Sequence, residues 1–123
     1  MGYKPDNRRT ITPRLITQDV HGLAGFIRTA FGATGDDQVG RPTELEIGDS
    51  TIMVSDGGSI RSAMPGMLYV YVADTDETYR KAIQLGAEPI ENPADMPWGD
   101  RRATFGDQWG NIWQIATHIG ATV

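Results

Sequence analysis

The sequence predicts an α+β fold of two βαβββ modules that together form a curved mixed sheet, a cup with its helices outside. Three observations predict it: apolar residues at helical spacing after each of two short strands, alternating segments after each helix, and a repeat of this order at an offset of 54 or 55 positions. Asp19 matches Asp74, Gly32-Ala33 matches Gly86-Ala87, and residues 14–20 match 69–75. Each half is too small to bury its sheet alone, so the two must pack together. A chance recurrence of strand, helix and glycine explains the repeat equally well on this evidence by itself.

Residues 12–18 read as a strand, and Asp19 is an N-cap for a helix whose face is Leu23, Phe26, Ile27, Ala30 and Phe31, stopped by Gly32. After Pro42, Leu45 and Ile47 alternate with Glu44 and Glu46, so the two acids face solvent. A turn at Gly48-Asp49-Ser50 then leads into a strand over 51–55, which makes a hairpin. The second half opens with a strand over 67–72. Asp74 and Glu77 form a capping box for a helix with Tyr79, Ala82 and Ile83 on one face, and Gly86 stops it. A short strand over 88–90, a proline-rich loop over 92–99, a strand over 102–105, a tight turn at Asp107-Gln108-Trp109-Gly110 and a last strand over 112–117 follow.

A chain of 123 residues suits one domain, expected over 12–123 with modules at about 12–56 and 67–118 behind a flexible polar lead-in over 1–11. Sixteen acidic against eleven basic residues give a net charge of −5, which would repel a phosphate backbone and argues against nucleic-acid partners. No apolar run approaches the roughly 20 residues of a membrane span. The first residues lack the apolar stretch of a signal peptide, and the absence of cysteine excludes disulfides and thiolate chemistry, so a cytoplasmic location is expected.

Two segments carry a family resemblance. Gly25-Phe26-Ile27-Arg28-Thr29-Ala30-Phe31-Gly32-Ala33 resembles the first helix of the vicinal-oxygen-chelate superfamily, the glyoxalase, bleomycin-resistance and dioxygenase group. Trp98-Gly99-Asp100-Arg101, the turn Asp107-Gln108-Trp109-Gly110 and Trp113-Gln114-Ile115-Ala116-Thr117-His118 resemble the closing hairpin of its PhnB-like branch. The strand over 51–56 also matches, so the likeness runs from Thr12 to His118. Ile27 departs from the usual aromatic residue of the first helix, and Gln108 from the usual proline of the turn.

The resemblance implies a cup that holds a small molecule, and a homodimer. In metal-dependent members a divalent ion is held by His, Gln or Glu at four equivalent strand positions, which fall here on Thr12, Met53, Met67 and Gln114. Thioethers are poor ligands for such ions, and only Gln114 would serve well, so no metal or other cofactor is expected. His21 and His118 read as capping or surface residues. With that register, alternation turns Arg14, Ser55, Tyr69, Tyr71 and Ala116 inward as well, and Ile52, Val54, Leu68, Val70, Trp113 and Ile115 under the helices.

Sparse polar groups among apolar walls are the lining of a ligand pocket. The candidate ligand contacts are Arg14, Met53, Met67, Tyr69, Tyr71 and Gln114, with Trp98 at the rim and Arg102 rather than Arg101 turned inward. Each has a plainer use: the methionines as filler, Trp98 as an anchor for its loop, Arg102 as a surface ion pair. No nucleophile, base and orienting group form a recognisable catalytic set. The expected function is metal-free binding that sequesters an aromatic or amphipathic molecule. The alternatives are a metal-independent lyase or isomerase acting on a small oxygenated substrate, and a metal site completed by a second chain.

Overall fold

The computed structural model describes residues 2–58 and 62–120. The chain divides into two compact units, Met1–Met64 and Pro65–Val123, with the boundary between the two repeats.

In the first unit the elements are β1 (Arg14–Ile16), α1 (Val20–Phe31), β2 (Thr43–Ile47) and β3 (Ser50–Ser55), and the sheet order is β1-β3-β2. β1 runs parallel to β3, with Arg14 opposite Met53, and β2 runs antiparallel, with Glu44 opposite the same Met53. α1 begins where the Asp19 carboxylate accepts the Gly22 amide at 3.1 Å, and it ends at Gly32 in the left-handed conformation. Leu23, Ala24, Phe26, Ile27 and Ala30 are buried on the face that meets β2 and β3. Leu15, Leu45, Ile52 and Val54 supply the other side of that core. Burying each large side chain of this kind contributes about 2 kcal/mol.

The second unit repeats the wiring with β4 (Met67–Tyr71), α2 (Thr75–Gln84), β5 (Glu88–Asp95), β6 (Asp100–Gly106) and β7 (Ile112–His118), in the order β4-β7-β6-β5. β4 is parallel to β7, and the other pairs are antiparallel. β1, β3 and β2 therefore correspond to β4, β7 and β6. The counterpart of β5 in the first unit is reduced to one bridge, Thr34 with Glu46, whose two amide bonds measure 3.1 and 2.9 Å. The expected fifth element of the first module is thus absent among the described residues. Gly35, at φ 125°, passes so close to β2 that a Cβ there would lie 2.2 Å from the Glu44 carbonyl oxygen, and the chain leaves the sheet at that point.

Several boundaries differ from expectation. β1 is shorter than 12–18, and β7 extends to His118. Half of the stretch read as a proline-rich loop is strand: β5 continues to Asp95 with register shifts between Pro89, Glu91 and Ala94. As an edge strand it tolerates Pro93, whose missing N–H leaves no ladder bond unmade on an outer side. The capping box at α2 is half formed. Asp74 accepts the Glu77 amide at 3.1 Å, but the Glu77 carboxylate pairs with Arg80 instead of reaching back.

α2 lies over β5, β6 and β7, where Ala103, Phe105, Trp113 and Ile115 are fully buried. Leu68 and Val70 on the edge strand β4 lie outside that cover and are only half-buried. Thr75 locks the helix start to the sheet: its hydroxyl donates to the Arg101 carbonyl at 2.8 Å and lies 2.8 Å from the Thr117 hydroxyl. No described helix is long and apolar enough to cross a membrane.

Candidate functional site

Register and pleat sort the predicted residues onto faces. In the second unit, residues directly opposite one another share a face, and the face turned away from α2 forms successive rows across β4, β7 and β6. Met67, Ile112 and Gly106 make one row, Tyr69, Gln114 and Thr104 the next, Tyr71, Ala116 and Arg102 the third. Asp100 opposite His118 closes the series. Met67, Tyr69, Tyr71, Gln114 and Arg102 therefore lie together on one surface. Arg101 turns to the other face, where it pairs with Asp76 and Asp95.

Asp100 organises this surface. It is buried, and its Oδ2 accepts the Tyr69 hydroxyl at 2.7 Å and the Tyr71 hydroxyl at 3.0 Å, while its Oδ1 lies 3.1 Å from His118 Nδ1. The Tyr69 hydroxyl, followed by the His118 contact, holds the Asp100 carboxyl below the usual carboxylate range. Burial, then the Asp100 bond, pushes the Tyr69 phenol up, and the bond to Asp100 does most to raise Tyr71. The two rings meet edge to face, with centroids 5.6 Å apart. Neither phenol is thus disposed to become a phenolate, and three polar neighbours engage the carboxylate. The trio holds the two tyrosine rings as a fixed aromatic platform.

Trp98 stands at the tip of the β5–β6 hairpin, in a turn over residues 96–99 that Pro97 pre-shapes and Gly99, at φ 98°, completes. This is a pinned turn rather than a long loop. Gly99 N donates to the Met96 carbonyl at 3.0 Å, Met96 N to the Asp100 carbonyl at 2.7 Å, and Ile119 N to the Gly99 carbonyl at 2.8 Å. The indole is 53% exposed, and the Arg102 guanidinium carbon lies 5.4 Å from its ring centre. Its other polar neighbour is the Tyr69 hydroxyl.

Arg102 forms the ion pair that its plainer reading expects, but its own side chain is largely buried. Its side chain is 16% exposed, and its Nη2 donates to Glu91 at 3.1 Å. Its Nε is buried with no hydrogen-bond partner among the described residues. Glu91 is held below the usual range by the Thr104 hydroxyl first, and by Arg102 after it. Gln114 lies half-buried in the adjacent row, and its amide makes no hydrogen bond within the described residues.

In the first unit Arg14 and Met53 are register partners, and Arg14 Nε donates to the Ser55 hydroxyl at 2.8 Å. A cavity of about 680 Å³ opens beside them, lined among others by Arg14, Ser55, Gln38, Arg41 and Pro42. Glu44 shares this face, because it lies opposite Met53. It is half-buried and paired with Arg8, whose hydrogen bond lowers its pKa, so the expectation of a simply solvent-facing acid needs correction. Arg8 belongs to the segment before residue 12, and Arg9 of the same segment pairs with Asp49 at 3.2 Å.

The sequence does not single out Asp100 or Glu91, and it reads His118 and Glu44 without their partners. Asp100 falls outside the expected span of β6, and His118, exposed as expected, ends β7 within reach of it. Glu91 was placed between strand and loop, and Glu44 was assigned a face without its register partner. Period two carried through the Asp100-Arg101-Arg102 run would have found Asp100.

The four positions that the resemblance assigns to metal ligands carry donors poorly suited to a divalent ion. Thr12 offers a hydroxyl, Met53 a thioether beside the Arg14 cation, Met67 a thioether that is 63% exposed, and only Gln114 an amide oxygen. Among the described residues no three His, Cys, Asp or Glu side chains gather to hold a metal.

Comparison with known proteins places the chain. The uncharacterized protein Mb0911c of Mycobacterium bovis is 25% identical over 126 aligned residues, covering 89% of this chain and 83% of that protein. A putative glyoxylase, CFP32, of Mycobacterium tuberculosis is 34% identical over 76 residues, 58% of this chain and 28% of that protein. Among solved structures, TioX from Micromonospora sp. ML1 superposes with a TM-score of 0.75 at 22% identity, covering 90% of this chain and 99% of that one. A glyoxalase/bleomycin resistance protein/dioxygenase family enzyme from Burkholderia phytofirmans PsJN gives 0.75 at 19% identity, covering 86% and 95%. These structural likenesses show the fold. The family model described as Glyoxalase/Bleomycin resistance protein/Dioxygenase superfamily matches residues 10–115, and the chain belongs to that superfamily.

Proposed function

We propose that this protein is a metal-free binder of a small planar aromatic or amphipathic molecule, which it sequesters rather than transforms. The observation that carries the reading is the aromatic platform on β4 and β7. Tyr69 and Tyr71, fixed from behind by buried Asp100, stand beside a half-exposed Trp98 and the unengaged Gln114 amide. Exposed aromatic area held rigid by polar bonds favours stacking at low entropic cost. The donor set at the superfamily's metal positions supports metal independence, and the carboxylates on this face are engaged and held ionised, which disfavours general acid–base chemistry. The run Trp98-Gly99-Asp100-Arg101, which supplies both the rim indole and the platform's carboxylate, supports a place in the PhnB-like branch.

The test is a melting-shift screen of planar aromatic compounds against chelator-treated protein, followed by titration of the hits against Trp98→Ala. Binding that survives the chelator and weakens at least tenfold in Trp98→Ala is expected. A stoichiometric divalent metal needed for binding would overturn the proposal. Turnover of a hit by chelated protein would favour a metal-independent lyase or isomerase instead.

A further inference from the structure

The geometry points to the polar anchor of that ligand: we propose that Arg102 Nε receives an uncharged carbonyl or amide oxygen carried on a planar ring, exposed to it when the Trp98 side chain rotates aside. The inference rests on the binding reading above and deepens it by naming the ligand's chemistry.

Arg102 is the one described side chain with a buried, unpartnered nitrogen. A buried N–H without an acceptor is destabilising, so an incoming oxygen gains the full value of the bond there. Trp98 covers the guanidinium at 5.4 Å, yet its own ring is half-exposed, and the turn that carries it is pinned by backbone bonds. Uncovering the guanidinium therefore takes a rotamer change of the indole that gives up its bond to the Tyr69 hydroxyl, while the turn stays put. The register partner of Arg102 is fully buried Ala116, and the facing residue on β4 is Tyr71. The diagonal neighbour of Arg102 on β7 is Gln114, whose free amide is within reach of the same ligand.

Local charge decides between a neutral and an anionic oxygen. The Arg102 charge is already matched by Glu91 at 3.1 Å, and Asp100 holds a second negative charge two residues along β6. A carboxylate ligand would add a third anion to a cluster with one guanidinium, whereas a carbonyl or amide oxygen accepts from Nε without that repulsion. The ring takes the aromatic surface of Trp98 and Tyr71, and the oxygen fixes its orientation.

The test uses three probes that share one ring system: 2-naphthamide, 2-naphthoate and naphthalene, each titrated into the full chain by calorimetry or Trp fluorescence. The amide is expected to bind at least tenfold more tightly than either of the others. Arg102→Met should abolish that preference. Arg102→Lys keeps a charge for Glu91 but has no Nε, and it should lose the preference too, which separates a ligand contact from a structural ion pair. Equal binding of the three probes, a preference for the naphthoate, no binding of any of them, or an amide preference that survives both substitutions would each overturn the assignment. In the last three cases a screening hit that still depends on Trp98 would leave the broader binding function standing.

Discussion

Replacing Asp107 by Asn removes one charge and one acceptor from the turn before β7, and its cost can be worked from four bonds. Asp107 Oδ1 accepts the Trp109 and Asn111 amides, each at 2.9 Å, and Oδ2 accepts Asn111 Nδ2 at 2.9 Å and Trp113 Nε1 at 2.8 Å. An asparagine retains one acceptor oxygen. Whichever way its amide turns, two of the four donors then face an NH2 group. Bonds to a charged acceptor contribute about 1.5–3 kcal/mol each, so losing two costs about 3 kcal/mol even at the lower end. Trp113 is fully buried, which leaves its indole N–H no route to solvent. For a domain of this size the loss corresponds to a fall in Tm of about 10 °C. Urea unfolding followed by circular dichroism reads the free energy directly, with the slope m checked for constancy. A loss below about 0.5 kcal/mol would refute the reasoning, because it would mean that the turn is held by its backbone alone.

Three further outcomes follow from the same geometry. Asp100 has its pKa lowered by Tyr69 first and His118 next, so its contribution to stability is present above the unfolded carboxylate pKa of about 4 and is lost as pH falls through the lower folded value. Thermal melts between pH 7 and pH 2.5 should show this acid loss, and Asp100→Asn should flatten it; an unchanged profile would remove Asp100 from the account. Gly35→Ala places a methyl 2.2 Å from the Glu44 carbonyl at φ 125° and should cost about 2 kcal/mol or more, whereas Gly32→Ala, with open space around its Cβ, should cost about 1 kcal/mol by urea unfolding. Arg8→Ala leaves half-buried Glu44 without its main partner, so the Glu44 pKa, followed by NMR titration, should rise toward its ordinary value.

Much of this was legible in the chain itself. The helix faces, Asp19 and Asp74 as caps and Gly32 as a stop follow from spacing and local chemistry, which act within a few residues. The second half of β5 was hidden because Pro93, and Pro97 after it, mark a loop in sequence terms. In the sheet Pro93 sits on an edge strand whose bulges absorb it. The choice of Arg102 over Arg101 came from the family resemblance, since alternation by itself says that neighbours diverge but not which one faces the tyrosines. Long-range pairing settles that, by setting Arg102 opposite Ala116. The bonds that Asp100 makes were beyond the sequence for a related reason: its three partners stand 18 to 31 positions away, on strands whose ends local signals place only loosely.

The pinned turn beneath Trp98 also sets a timescale. A lid that closes by moving backbone does so in microseconds to milliseconds and leaves a saturating phase in binding kinetics. Here the 96–99 backbone is tied to both its flanking strand and the end of β7, so opening needs only a rotamer change of the indole away from Arg102 and the Tyr69 hydroxyl, with no backbone motion. Entry would then be limited by diffusion and docking alone. Stopped-flow traces should rise in a single phase whose rate is linear in ligand concentration, and related ligands should differ in how long they stay rather than in how fast they arrive.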